Sequence, residues 1–126
     1  MGHPALDLTD NTAVVIGGTS GIGLTIAKGL AKAGANVVAT GRRTELVESA
    51  AQEIRSLGRR SLALTTDVTD KGSLKQLLAG TLKEFGAVHI LVNCAGRTKR
   101  TPTLEISDEE WNGILETNLN GTLAAC

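Results

Sequence analysis

Residues 17–23 read Gly-Gly-Thr-Ser-Gly-Ile-Gly, between a short β-branched apolar run and an amphipathic one. Glycine at such spacing serves three needs: a tight turn, a backbone that comes close to a pyrophosphate, and a helix that packs against a strand. A helix beginning at Gly21 would aim unpaired N–H groups and the positive end of its dipole at phosphates. Gly17, Thr19, Ser20, Gly21, Ile22 and Gly23 are therefore candidate phosphate-side contacts, against the plainer reading of a glycine-rich loop. Gly18 and Gly23 have P-loop spacing, but Leu24 stands where that motif requires lysine.

A second candidate follows about twenty residues later, at Thr40-Gly41-Arg42-Arg43. A dinucleotide site that takes NAD places an acid there for the ribose 2′-hydroxyl, and one that takes NADP places an arginine. Gly41 occupies the acid position, so no carboxylate repels a phosphate. Arg42 offers a forked, charge-assisted contact to a 2′-phosphate, with Arg43 beside it. The alternative is two solvated charges ahead of a helix. Arg97, Lys99 and Arg100 form a smaller cluster, read either as a solvated loop or as a funnel for an anionic substrate.

These residues need a frame. Thr12–Ile16 is apolar and too short for a helix, which predicts a buried strand. Asn36–Thr40 predicts a second strand, residues 61–66 a third, with Leu62 and Leu64 alternating, and residues 88–92 a fourth. Between them run helical patterns. The first carries Ile22, Ile26, Ala27, Leu30 and Ala31. The second is capped by Thr44 and striped by Leu46, Ala50, Ile54 and Leu57. The third is capped by Asp70 and striped by Leu74, Leu77, Leu78, Leu82 and Phe85. Ser107 and Glu110 predict a capping box for a last helix carrying Trp111, Ile114, Leu115 and Leu119. Strand–helix alternation predicts an α/β fold: a doubly wound parallel sheet of the Rossmann type, in order 3-2-1-4 with helices on both faces. Ligands of such sheets bind beyond the carboxyl ends of the strands, where the glycine turn and Arg42 fall.

Composition narrows the function classes. The chain has 126 residues, one domain's worth, and its charges balance to zero, which leaves no footprint for nucleic acid. No apolar run is long enough to span a bilayer, and the first residues lack a signal-peptide core. Cys94 and Cys126 fit no metal spacing, so no metal is expected, and a reducing cytoplasmic setting is the default. His3 falls in the terminal segment, His89 reads as structural, and Cys94 as a packing residue.

The Gly-x3-Gly-x-Gly spacing resembles that of the short-chain dehydrogenase/reductase family, with NADP-preferring members such as 3-oxoacyl-carrier-protein reductases and sugar-acid dehydrogenases nearest in kind. Three further stretches resemble it in order: Asp67-Val68, Asn93-Cys94-Ala95-Gly96, and the helix from Trp111 to Gly121 that contains Asn118. Ile16, His89 and Cys94 depart from the family's usual residues. The resemblance implies that Asp67 and Val68 lie at the adenine and that Asn93, Ala95 and Gly96 line the nicotinamide side. It implies that Asn118 belongs to the catalytic set, through a proton-relay water. It further implies hydride transfer between NADP(H), less readily NAD(H), and a small carbonyl or alcohol substrate, in a full-length homo-oligomer; on the charge balance and the lack of a basic amphipathic stretch, no nucleic-acid or membrane partner is expected. The family's proton-transferring Tyr has no counterpart, because the sequence contains no tyrosine. Residues 1–126 are accordingly expected to be one dinucleotide-binding domain, cut before the Ser and Tyr-x-x-x-Lys segment and inactive alone. The rival expectation is a complete, non-catalytic protein that binds nucleotide or pairs with a partner.

Overall fold

The structure, a computed structural model, describes residues 4–97 and 100–126. His3 and Lys99 lie outside the described residues. Three strands, β1 (Thr12–Ile16), β2 (Asn36–Thr40) and β3 (Ile90–Asn93), form a sheet in order β2-β1-β3. Both pairs are parallel, with Val14 opposite Val38 on one side and Leu91 on the other. The helices are α1 (Gly21–Lys32), α2 (Thr44–Ser56), α3 (Lys71–Phe85), α4 (Asp108–Leu115) and α5 (Gly121–Ala125). A π-helical turn, Glu116–Asn120, joins α4 to α5 with right-handed helical dihedrals on both sides.

Alternation along β1 divides the core. Ala13 and Val15 face one layer with Ala27 and Ala31 of α1 and Ala50 and Ile54 of α2. Val14 and Ile16 face the other, with Val38, Val68 and Leu77 of α3, against which Leu62, Leu64 and Ala125 pack. Helices thus cover both faces, as a doubly wound sheet requires.

The third expected strand is a correction. Residues 61–66 run beside β2 without becoming a strand. Val37 N–H donates to the Arg60 carbonyl at 3.1 Å, and Thr66 N–H donates to the Gly41 carbonyl at 2.8 Å. Both bonds fit one parallel register, with Ser61 opposite Val37 and Thr65 opposite Gly41. The rungs between them are not made. Thr40 Oγ1 instead donates to the Leu64 carbonyl at 2.5 Å, taking an acceptor from the ladder. The expected order 3-2-1-4 therefore appears as its 2-1-4 part, flanked by an unladdered segment at the place of strand 3.

Helix ends and stripes also differ in detail. Asp70 caps α3, accepting from Gly72 and Ser73 N–H. Arg43, not Thr44, is the N-cap of α2, and no side chain closes it. The α2 stripe includes Val47 and Ala51 beside Ala50 and Ile54, rotated from the expected one. Ser107 accepts from Glu110 N–H, but the Glu110 carboxylate accepts from Thr101 Oγ1, so only half the capping box forms. Leu78, Leu82, Trp111 and Leu119 are exposed rather than packed.

Candidate functional site

A cavity of about 500 Å³ opens at the carboxyl ends of the strands. The turn after β1 forms its floor. Gly17 has φ +80°, and a Cβ there would stand 2.5 Å from the Cys94 carbonyl carbon, so only glycine lets this turn meet the segment after β3. A Cβ on Gly23 would overlap the Gly17 carbonyl, so glycine also brings the first turn of α1 against the loop. Gly17 and Gly18 N–H are tied to the Thr40 carbonyl at 2.9 and 3.2 Å, which fixes the turn to the end of β2. Ser20 is the N-cap of α1 but makes no capping bond, and no acid occupies the first turn. The amide groups at this helix start are therefore left for a ligand, whereas Asp70 and Ser107 close those of α3 and α4.

The structure brings Gly17, Thr19, Ser20, Ile22 and Gly23 to one wall of this cavity. Arg42 and Arg43 stand on another, and Asp67, Val68, Ala95 and Gly96 complete it. Gly21 lies beside it, its φ of +55° shaping the turn. Ile22 is exposed there rather than part of the α1 stripe. Asn93 points elsewhere: its Nδ2 donates to Cys126 Sγ at 3.6 Å. Gly41, which the sequence placed at the acid position, and Cys94, read there as a packing residue, also line the cavity, as do Leu46, Thr66 and Thr117, which the sequence did not single out. Leu46 and Thr66 had no chemical signal.

Electrostatically the site is open to an anion. Among the described residues the single ion pair is Arg60–Glu84, so neither Arg42 nor Arg43 has a carboxylate in ion-pair contact. Asp67 lies near enough to Arg42 to feel its charge. Its carboxyl is held below the ordinary value of 3.8, first by the Thr69 hydroxyl and then by Thr69 N–H. The Arg42 charge adds to this, and slight burial opposes it. The Thr69 bonds, at 2.7 and 2.9 Å, both fall on Oδ1.

Asn118 sits in the π turn, a helical irregularity often found at functional sites. Its Oδ1 accepts from Arg97 N–H at 2.8 Å and its Nδ2 donates to the Arg97 carbonyl at 2.9 Å. The side chain is thus a clamp on the segment after Gly96, and Thr117 beside it lines the cavity. His89 is structural: Thr12 N–H donates to its Nδ1 at 2.9 Å.

The short chain dehydrogenase family model matches residues 11–126. Gluconate 5-dehydrogenase of Gluconobacter oxydans is 39% identical over 121 residues, covering 95% of this chain and 47% of that protein. The 3-oxoacyl-[acyl-carrier-protein] reductase FabG of Escherichia coli is 43% identical over 109 residues, 86% of this chain and 43% of its own. An actinorhodin polyketide ketoreductase solved with NADPH superposes with a TM-score of 0.87 at 37% identity, over 91% of this chain and 44% of that one. The chain spans about half the length of the curated relatives it matches. The parallel sheet, the glycine turn seated at its carboxyl edge and a match over nearly every residue make this chain a member of the short-chain dehydrogenase family.

Proposed function

We propose that these residues form the cofactor site of an NADP(H)-dependent short-chain oxidoreductase that acts on a small carbonyl or alcohol compound. The observation that carries the NADP preference is the trio in the cavity wall: Gly41, with no side chain to repel a phosphate, followed by Arg42 and Arg43. Bound there, the nicotinamide would accept or supply a hydride. The amides at the start of α1 would hold its pyrophosphate, Asp67 and Val68 its adenine, and Ala95 and Gly96 its nicotinamide side. Asn118 would act by fixing the Arg97 backbone next to that end. The NADPH-bound ketoreductase and the FabG relative support the reading. The same reading carries a homo-oligomeric full-length protein in the cytoplasm. Among the described residues no helix is long and apolar enough to cross a membrane.

The test is calorimetric titration of the chain with NADPH and NADH. Arg42→Ala should weaken NADPH about tenfold or more, the worth of a hydrogen bond to a charged group, and leave NADH nearly unchanged. Equal loss for both cofactors would remove Arg42 from phosphate recognition.

A further inference from the structure

Arg97 is held at both ends. Its N–H and carbonyl are both engaged by the Asn118 amide. Its guanidinium lies on α4 at Gly113, where a Cβ would stand 3.2 Å from Nη1 and 3.5 Å from Cζ. A Cβ at 113 would ask the guanidinium to give by only a few tenths of an ångström. Thr117, four residues on in the π turn, lines the cavity, and so does Gly96 next to Arg97. Four residues of helix rise roughly 6 Å or less, so Gly113, where the guanidinium lies, is near the Thr117 wall of the cavity. The group is also uncommitted. No side-chain hydrogen bond or ion pair of Arg97 occurs among the described residues. Glu110, the acid of α4 closest in sequence to Gly113, is turned to Thr101 at 2.6 Å. Arg97 is exposed and does not itself line the cavity, but its neighbours Ala95 and Gly96 do, and a cation with donors to spare beside that end has the chemistry of an anion anchor.

We propose that Arg97 binds the carboxylate of the substrate, so that the compound reduced or oxidised is a carbonyl or hydroxy acid. The planar fork of the guanidinium matches a carboxylate with two parallel N–H···O bonds, which a lysine at the same place would not reproduce. Arg97 is thus a specificity-determining residue that reads the anionic end of the compound. This rests on the cavity being the nicotinamide dinucleotide site.

The test uses the 126-residue chain saturated with NADP⁺. Trp111, the sole tryptophan, is half-exposed on α4 two residues before Gly113 and reports binding by fluorescence. The probes are gluconate and its uncharged counterpart sorbitol, at constant ionic strength. Gluconate should give a saturable change and sorbitol none. Arg97→Ala should raise the gluconate half-saturation point about tenfold or more, with Arg97→Lys recovering only part of the loss. Equal responses to gluconate and sorbitol, or gluconate binding unmoved by Arg97→Ala, would overturn the proposal. NADP⁺ affinity is measured separately in each variant. Intact NADP⁺ binding without gluconate discrimination sinks this inference alone; no NADP⁺ binding by the unaltered chain sinks the cofactor reading and this with it.

Discussion

Gly41 shows how one missing side chain sets a preference. A Cβ there would stand 3.1 Å from Thr19 Oγ1, a tight approach that a small movement of the hydroxyl could relieve. Gly41→Asp should therefore fold and invert cofactor choice, since its carboxylate repels the 2′-phosphate and accepts the ribose hydroxyl. Gly41→Ala separates crowding from charge: if alanine shifts the NADPH-to-NADH affinity ratio as far as aspartate does, charge is not the cause. Asp67 offers a pH-dependent readout. Its folded-state carboxyl lies below the ordinary value, so its ionised form stabilises the fold above about pH 3.8. That contribution fades as pH falls through the folded-state value. Thr69→Val removes the largest cause of the depression, and carboxyl-carbon NMR should show Asp67 titrating closer to 3.8. An unmoved titration would mean that the hydroxyl bond is not what holds it down. The residues legible in the sequence were those whose chemistry is local, such as the glycine turn and Arg42. Thr117 and Leu46 reach the cavity only through how the π turn after α4 and helix α2 are docked, which no residue type announces.

Elements were legible where the chain itself decides them. β1 and β2 match the expected Thr12–Ile16 and Asn36–Thr40, because a β-branched run buried on both faces has no competing assignment. Residues 61–66 alternate correctly, and Leu62 and Leu64 do pack on the core, but pairing depends on carbonyls that Thr40 competes for. Helix stripes were read too wide. On α3 only Leu77 and Thr81 are buried, while Leu78 and Leu82 are 52% and 42% exposed. Leu119 and Leu123 are exposed as well, and Leu78 meets Leu91 in a groove next to β3, which is an edge strand among the described residues. The groove, of about 610 Å³, runs between α3, β3 and α5 and is also lined by Leu74 and Val88. An apolar groove beside unpaired strand groups favours association. The isolated 126-residue polypeptide should therefore sediment as self-associated or heterogeneous species at micromolar concentration. A monodisperse monomer that unfolds in a single cooperative transition would show that this surface is tolerated in water.

At the scale of the molecule, the strands run in one direction and so deliver the glycine turn, Arg42, Asp67 and Gly96 to one edge of the sheet. His89 meets the other edge, through Thr12 at the start of β1, while the cavity lies past Ile16 at its end. Five strand residues separate the two by roughly 13 Å, too far for proton transfer to a compound in the cavity. Cys94 and Thr117 line the cavity. The Cys94 backbone is pressed against Gly17, where a rearrangement would disturb the turn itself. Asn118 has both side-chain atoms engaged by Arg97, and an amide is no acid near neutral pH. The 126 residues contain no tyrosine, so the proton-transfer group that the family resemblance implies has no counterpart among them. General acid–base assistance is typically worth about a hundred- to ten-thousand-fold. Positioning alone does not restore that factor, even with the cofactor bound and an acid anchored at Arg97. The polypeptide of these residues should thus bind NADPH and yet oxidise none above the blank, as followed by nicotinamide absorbance with a panel of keto acids and ketones. Turnover that survives repurification and disappears in Asn118→Ala would overturn this, because it would place a complete proton path within the segment that Asn118 clamps.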